Sequence, residues 1–152
     1  MNTENPKLSI IIPCYNCEKT LREAVESCYV QGFVSESDFE IIMVDDGSTD
    51  STKELIKKLD SEHKNIHIFF NEKNQGGGMT RNIAVSHSLG EVIFGLDSDD
   101  ILPPGTLLKM YNFLKGTSEK TSCDGVSIHR SIKFSTTSRT NPNSERKIEH
   151  ID

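Results

Sequence analysis

Asp97 and Asp99, two carboxylates separated by Ser98, follow a short apolar run and have the types and spacing to bind a cation. Both can turn towards one hard divalent ion and leave coordination positions open for phosphate oxygens. Mg²⁺ and Mn²⁺ prefer such oxygen ligands. The other interpretation is that these residues only form a turn and cap before Pro103, and the spacing alone leaves both open.

Asp45 and Asp46 end another apolar run, just before Gly47. A carboxylate at this place can accept hydrogen bonds from a base or a ribose, as an acidic residue does in dinucleotide-binding folds. The alternative is a turn that leads into a helix capped by Asp50 or Ser51, because Ser51 and Glu54 also have the spacing of a capping box. A carboxylate that binds nucleotide and one that only shapes a turn are both compatible with this stretch.

Cys14 and Cys17 have the spacing of a redox dithiol between a strand and a helix. A helix N-terminus can lower the pKa of a thiol, so a thioredoxin-like redox protein is one hypothesis. The intervening Tyr15 and Asn16 lack the Gly-Pro pair that such motifs often carry, and a redox function gives the acidic loops no role. The alternative is that both are loop cysteines without redox chemistry.

Three glycines, Gly76 to Gly78, precede a predicted helix that carries Arg81. They offer flexible backbone and one cation near a strand end, although glycines before a helix are commonly only a loop. The loop after the first strand contains no glycine fingerprint, and no P-loop pattern occurs. The sequence therefore argues against a nicotinamide-cofactor enzyme and against a P-loop enzyme.

Short apolar runs alternate with amphipathic stripes, which is typical of a parallel sheet covered by helices. We expect the polar residues that follow the strands to meet at one edge of the sheet, where such folds bind ligands. Asn16 is predicted to cap the first helix, which ends near Gly32, while Gly90 and Gly116 are predicted to end later helices and Pro103-Pro104 to open the last one. The predicted strands are 8–12, 39–44, 66–70, 92–96 and, more weakly, 125–128.

The chain of 152 residues has a formal net charge of -6, which argues against a nucleic-acid-binding protein. An acidic chain that binds phosphates would need a metal ion. The N-terminus has no signal-peptide pattern and the four cysteines are too few for a disulfide scaffold, so we expect a cytoplasmic location. We expect one domain over 1–128, followed by a polar tail over 129–152 that is mobile or begins a further segment.

Four motifs in order carry a family resemblance: IIPCYN at 11–16, IIMVDDGSTD at 41–50, NQGGGMTRN at 74–82 and LDSDD at 96–100. Together they resemble the nucleotide-sugar-binding half of the family 2 glycosyltransferases of the A-type fold, over about residues 8 to 128. The resemblance implies a Rossmann-like three-layer sandwich with a mostly parallel sheet. It also implies a truncated chain, because relatives continue into an acceptor-binding half.

The resemblance further implies a site for a nucleotide-sugar donor, with UDP as the expected nucleotide. Asp97 and Asp99 would activate the donor and hold Mn²⁺ or Mg²⁺, with Asp97 facing the ribose and Ser98 between them. Asp45 or Asp46 would contact the uracil or ribose. The implied nucleotide-binding residues are Pro13, Tyr15, Glu18, Asp45, Asp46, Arg81, Asp97 and Ser98.

The family implies transfer of a sugar, with inversion, to a hydroxyl group of a glycan, lipid or protein. In relatives the general base lies beyond the fifth strand, and nothing around the late glutamates, Glu145 and Glu149, nominates them for that role. A non-catalytic module that binds nucleotide sugar and needs a partner segment is the alternative, and a thiol redox protein is the third. Membrane association is common among relatives, so the inner face of the membrane is a further expected location.

Overall fold

The computed structural model describes residues 5–33 and 35–118, which form a four-stranded parallel sheet flanked by helices. The order of the strands across the sheet is β3-β2-β1-β4, and all the neighbouring pairs run parallel. The strands are β1 (Leu8–Cys14), β2 (Phe39–Asp45), β3 (Ile66–Phe70) and β4 (Val92–Gly95).

Helices cover both faces of the sheet. On one face, Ile10 and Ile12 of β1 pack in the same buried cluster as residues of α1, α2 and α4. On the other face, Ile11 and Ile42 pack with Ala84 of α3. The predicted three-layer architecture with a parallel sheet is therefore confirmed. The helices are α1 (Leu21–Ser27), α2 (Thr52–Glu62), α3 (Gly77–Ser86) and α4 (Thr106–Ser118).

The strand order creates a crevice beside β1. The chain proceeds outward from β1 through β2 to β3 and then returns, by way of α3 on the opposite face, to place β4 on the other side of β1. Open α/β sheets bind ligands where the strand order reverses in this way, just outside the carboxyl ends of the strands. The loops after β1 and β4 are therefore the expected walls of a site.

The start of α1 differs from the prediction. Asn16 does not cap this helix; it has a φ of 47°, and its Oδ1 accepts a hydrogen bond of 2.8 Å from the backbone N–H of Thr49. The helix begins at Leu21 and ends at Ser27, and a 3-10 turn over Cys28–Val30 follows it. The prediction that the helix runs from Asn16 to near Gly32 was wrong, because the Asn16 side chain joins two loops instead.

Two glycines predicted to end helices have other positions. The helix α3 ends at Ser86, whereas Gly90 lies against β1, where a Cβ atom would come within 2.5 Å of the Ser9 nitrogen. The helix α4 continues through Gly116 to Ser118. Gly90 is therefore explained by close approach of two backbone segments, and Gly116 is accommodated inside a helix.

The two remaining helix starts also differ. The helix α4 begins at Thr106, after Pro103-Pro104, so the prolines precede the helix and do not open it. Ser51 precedes α2 but makes no side-chain capping bond. Instead the Oδ1 of Asp50 accepts a hydrogen bond of 3.0 Å from the N–H of Thr52. The predicted capping box was wrong.

The predicted strand at 125–128 and the predicted tail at 129–152 lie outside the described residues. Within residues 5–33 and 35–118, no helix is both long and apolar enough to cross a membrane.

Candidate functional site

A cavity of about 250 Å³ opens at the carboxyl ends of the strands, in the crevice beside β1. Loops from all four strands and the first turns of α3 contribute to its walls. Of the predicted site residues, all except Asp45 and Glu18 line it. The lining residues are Pro13, Cys14, Tyr15, Asp46, Asn74, Gly77, Thr80, Arg81, Asp97, Ser98 and Asp99.

An ion pair crosses this cavity from α3 to the end of β4. Nη2 of Arg81 donates to Oδ1 of Asp97 at 2.6 Å, and about half of each side chain is exposed. Gly77 permits this geometry, because a Cβ there would lie 3.3 Å from Nη1 of Arg81. The pair places a cation at the mouth of an otherwise acidic site, where it can also contact an anionic ligand.

Three carboxylates converge beside that pair. Asp97, Asp99 and Asp100 each contribute one carboxylate oxygen, and these three oxygens lie within 4.8 Å of one another. Oxygen donors at this separation fit a divalent cation, since Mg²⁺ and Mn²⁺ bind through carboxylates and complete their coordination with water or phosphate. Asp100 was not among the predicted metal ligands, although its position directly after Asp99 was a signal for a third carboxylate.

Asp46 lies at the floor of the cavity and joins several loops. Its backbone N–H donates to the Cys14 carbonyl at 2.8 Å. Its Oδ1 accepts hydrogen bonds of 2.8 Å from the side chain of Asn71 and from the N–H of Gln75, and its Oδ2 accepts one of 2.9 Å from the N–H of Gly76. These bonds fix the loop that leads into α3 and therefore position Arg81.

The pKa of Asp46 lies below its ordinary value. Burial raises this pKa, but the hydrogen bonds from Asn71 and from the backbone of Gln75 and Gly76, together with a contribution from Thr80, outweigh burial. Asp46 is therefore ionised at neutral pH and keeps a negative charge at the floor of the cavity.

Asp45 points away from the cavity. Its side chain is fully buried on the face covered by α1 and α2, and its Oδ2 accepts hydrogen bonds from the backbone N–H groups of Gly47 and Ser48 at 3.2 and 3.1 Å. Asp45 is the last residue of β2, whereas Asp46 lies in the loop beyond the strand and lines the cavity. The structure presents Asp46 to the cavity and uses Asp45 in the turn.

Glu18 does not line the cavity that contains Asp46 and Arg81. It lines a neighbouring cavity of about 600 Å³, which shares Tyr15, Ser98 and Asp99 with the first one. Its Oε2 accepts a hydrogen bond of 2.8 Å from the N–H of Ser51, so the carboxylate joins the loop after β1 to the loop after β2. The structure therefore places Glu18 beside the site and outside the cavity that holds Asp46 and Arg81.

Tyr15 stands between the two cavities with 49% of its surface exposed. The loop that carries it is fixed on both sides, because the Asn16 N–H donates to Oγ of Ser48 at 2.9 Å and the Cys17 N–H donates to Oγ1 of Thr52 at 2.8 Å. An exposed aromatic ring on a fixed loop can stack on a flat ligand without much loss of conformational entropy.

Sequence reasoning missed Asn74, Gly77 and Thr80, which also line the cavity. Their signal was the Gly76-Gly77-Gly78 loop, which was considered only as flexible backbone. Gly77 begins α3, so the positive end of the helix dipole lies at the cavity. This feature favours an anionic group on the ligand.

Comparison with known proteins decides the family. The family model described as "Glycosyl transferase family 2" matches residues 9–151, nearly the whole chain. This chain belongs to glycosyl transferase family 2. Family membership confirms the resemblance inferred from the four motifs and favours a glycosyltransferase over a thiol redox protein.

Named relatives agree with membership of family 2. A poly(ribitol-phosphate) beta-glucosyltransferase from Bacillus spizizenii is 40% identical over 110 residues, which cover 72% of this chain and 17% of the relative. A crystal structure of residues 1–349 of Staphylococcus aureus TarS in complex with UDP-GlcNAc aligns with a TM-score of 0.66 and 35% identity, over 72% of this chain and 31% of that TarS chain.

A mannosyltransferase from Pyrobaculum calidifontis, solved with GDP-Man and Mn²⁺, aligns with a TM-score of 0.64 and 25% identity. The alignment covers 74% of this chain and 32% of that protein. The chain thus corresponds to less than a third of the length of each of these three proteins. The similarity to these solved glycosyltransferases confirms the predicted A-type glycosyltransferase fold.

Proposed function

We propose that this chain forms the donor-binding part of a glycosyltransferase that uses a UDP-sugar. The observation that carries the proposal is the convergence of Tyr15, Arg81, Asp97 and Asp99 at one cavity in the crevice beside β1. A site for a nucleoside diphosphate requires an aromatic ring to stack on the base, a cation to contact a phosphate and a group of carboxylates to bind a metal ion. The UDP-GlcNAc complex of TarS supports UDP as the nucleotide.

Within this proposal, the Tyr15 ring stacks on the base, because it is exposed, aromatic and carried by a fixed loop. Pro13 packs beside it, and Asp46 contributes negative charge and a fixed backbone at the floor of the cavity. Arg81 approaches the phosphates together with the start of α3. Glu18 supports the Tyr15 loop through its bond to Ser51 and does not contact the base.

The carboxylate group formed by Asp97, Asp99 and Asp100 would hold Mn²⁺ or Mg²⁺. When bound, such an ion neutralises charge on the leaving diphosphate and acts as a Lewis acid. The protein surface supports this role, because the cavity is rich in carboxylates and would otherwise repel a diphosphate. The Mn²⁺ in the mannosyltransferase complex agrees with divalent-metal dependence in this family.

For the whole protein we propose inverting transfer of the sugar to a hydroxyl group of a polysaccharide acceptor. The attacking hydroxyl needs a carboxylate base within hydrogen-bond reach on the side opposite the diphosphate. The late glutamates Glu145 and Glu149 lie outside the described residues. The polymer-modifying activity in the name of the Bacillus spizizenii relative supports a polysaccharide acceptor.

A second candidate function is donor binding without turnover by these residues alone. The observation that favours it is that the described residues lining the cavity suit a nucleotide-sugar donor. This candidate predicts nucleotide binding without hydrolysis or transfer.

A thermal-shift panel tests the proposed nucleotide. The full chain is heated with UDP, GDP, CDP, ADP or dTDP in the presence of Mn²⁺, and then with UDP-glucose and UDP-GlcNAc. Stabilisation by UDP and by UDP-sugars above the other nucleotides is expected. Release of free UDP from the sugar nucleotides over hours distinguishes turnover from binding alone, and equal stabilisation by all five nucleotides would contradict a UDP site.

A further inference from the structure

Two reduced cysteines lie directly beneath the proposed donor site and have no role in it. Cys14 ends β1, and Cys17 follows after Tyr15 and Asn16. Both thiols are free and buried, with exposed fractions of 1% for Cys14 and 7% for Cys17. Cys14 lines the smaller cavity and Cys17 lines the larger one. Each cysteine therefore borders a cavity, while its side chain is almost entirely buried.

The two thiols are paired with each other. The Cys14 thiol donates a hydrogen bond of 3.4 Å to the carbonyl of Ile12. Interaction with Cys17 and burial raise the pKa of Cys14, and interaction with Cys14 lowers the pKa of Cys17 to about 7. Bonds from the hydroxyl groups of Ser98 and Thr52 also lower the pKa of Cys17, and Oγ1 of Thr52 lies 3.9 Å from its sulfur. Cys17 thus has thiolate character and faces the loop that carries Asp97 and Asp99.

A buried carboxylate lies beside Cys14. Cys14 and Asp45 are directly paired across β1 and β2, so their side chains share one face of the sheet. The charge of Asp45 is close enough to raise the pKa of Cys14. Among the buried side-chain atoms of the described residues, Oδ1 of Asp45 alone has no hydrogen-bond partner. Asp45 therefore has an unused acceptor on the face of the sheet that also carries Cys14.

We propose that Cys14 and Cys17 are an oxidative modification site, at which a hydroperoxide converts the thiol pair to a disulfide and weakens binding at the donor site. The Cys17 thiolate attacks one oxygen of the hydroperoxide, the O–O bond breaks, and Cys17 becomes a sulfenic acid while the other oxygen leaves as hydroxide or alkoxide. Cys14 then gives its proton to Asp45 and attacks the Cys17 sulfur. The S–S bond forms as the sulfenic hydroxyl leaves as water with that proton.

The expected loss of nucleotide affinity follows from the movement of the loop that carries Cys14 and Cys17. This expectation rests on the proposed function. Disulfide formation fixes the two sulfur atoms at a separation of about 2.05 Å. The turn that carries Tyr15 must tighten, and Cys17 must give up its bonds to Ser98 and Thr52. Both walls of the cavity that approach the nucleotide are therefore altered at once. Reduction by a dithiol reverses the change, because both cysteines return to thiols.

The test uses the full chain, reduced with dithiothreitol, freed of reductant and treated with one equivalent of hydrogen peroxide. Trypsin releases both cysteines on one peptide, residues 8–19, because Lys7 and Lys19 flank them. After alkylation of the remaining thiols, this peptide is expected to be lighter than the reduced peptide by two hydrogens and to carry no alkyl group. Dithiothreitol should restore alkylation at both sites.

Two variants and one control sharpen this measurement. Cys17→Ser should abolish the disulfide, and Asp45→Asn should slow its formation while the sulfenic acid on Cys17, trapped with dimedone, accumulates. Cys28→Ala removes a buried thiol outside the pair and should leave the modified peptide unchanged. Alkylation of both cysteines of peptide 8–19 after peroxide treatment, or a disulfide that instead involves Cys28 or Cys123, would overturn the proposal.

Calorimetric titration with UDP then measures the consequence. The oxidised chain should bind UDP about tenfold more weakly than the reduced chain, comparable to the loss of one or two hydrogen bonds, and reduction should restore the affinity. Equal affinities would overturn the link to the donor site. If the reduced chain binds no UDP, the proposed function fails, whereas the peptide measurement still decides whether the modification site exists.

Discussion

Arg81 and Asp97 are joined by a hydrogen-bonded ion pair of 2.6 Å that connects the first turns of α3 to the end of β4. The two residues come from opposite sides of the crevice, since α3 packs over β1 and β2 and β4 lies beyond β1. The pair therefore holds a cation and a carboxylate together at the mouth of the donor cavity. A bound diphosphate would offer Arg81 a second anionic partner.

Removal of the guanidinium should weaken nucleotide binding without unfolding the protein. Arg81→Ala is expected to reduce UDP affinity by about tenfold, because a charge-assisted hydrogen bond contributes roughly 1.5–3 kcal/mol. The thermal midpoint should change little, since an exposed ion pair contributes at most about 1 kcal/mol.

Arg22→Ala is the matched control for that substitution. Arg22 pairs with Glu62 on the outer surface of α1 and α2, away from the cavity. Calorimetry with UDP and a thermal melt should show unchanged affinity for this variant. Equal losses of affinity in both variants would mean that Arg81 acts only through surface charge.

The aromatic ring of Tyr15 should account for stacking on the base. Tyr15→Ala is expected to cost about 1–3 kcal/mol of binding free energy, as is usual for one stacked base, whereas Tyr15→Phe should retain most of the affinity. Tyr15 is half exposed, so neither substitution should lower the free energy of unfolding noticeably. A loss in Tyr15→Phe as large as that in Tyr15→Ala would indicate a role for the hydroxyl group instead.

Asp46 should contribute stability that depends on pH. Its folded-state pKa lies below the unfolded value, so the ionised carboxylate stabilises the fold above about pH 4, and this contribution is lost as the pH falls through the folded-state pKa. Asp46→Ala removes the acceptor for the N–H groups of Gln75 and Gly76 and for the side chain of Asn71, and is therefore expected to destabilise the fold.

Urea unfolding at several pH values measures the contribution of Asp46. The difference in unfolding free energy between wild type and Asp46→Ala should be largest at pH 6–7 and should shrink below about pH 3. A difference that is independent of pH would show that the lost packing, and not the charge, accounts for the effect.

Gly47 should be intolerant of any side chain. Its φ is 74°, and a Cβ would lie 2.9 Å from the backbone nitrogen of Asn74 and from the carbonyl carbon of Lys73. Gly47→Ala is therefore expected to destabilise the fold by more than about 1 kcal/mol in urea unfolding. Gly105→Ala is the control, because its φ is 76° but a Cβ would meet no atom within 4 Å. A smaller loss in Gly47→Ala than in Gly105→Ala would contradict the steric explanation.

The sheet was predictable from the sequence because burial on both faces leaves continuous apolar runs. Residues 8–12 of β1 and 39–44 of β2 are such runs, and the structure extends each strand slightly further, to Cys14 and Asp45. The exact ends of the helices were not predictable, because contacts with residues distant in sequence decide the positions of Asn16 and Gly90. Asn16 accepts a hydrogen bond from Thr49, and Gly90 lies against Ser9. Local propensity contains no information on those contacts.

The sequence predicted which loops form the candidate site, but it did not predict the orientation of every side chain in them. The choice between Asp45 and Asp46 stayed open because it depends on where β2 ends and on how the loop after it folds. Glu18 was assigned near the base from its place in a motif, yet the structure turns its carboxylate towards Ser51. Asp100 was passed over because the spacing of Asp97 and Asp99 already accounted for a metal site.

The most direct test of the donor site is calorimetric titration of the reduced chain with UDP, with GDP as the competing nucleotide, in Mn²⁺ and in EDTA. Asp99→Asn is measured beside it, with Asp60→Asn on the exposed side of α2 as the control. The account predicts UDP binding that requires Mn²⁺, exceeds GDP binding and is lost in Asp99→Asn without a change in thermal midpoint. Metal-independent binding, or full UDP affinity in Asp99→Asn, would contradict it.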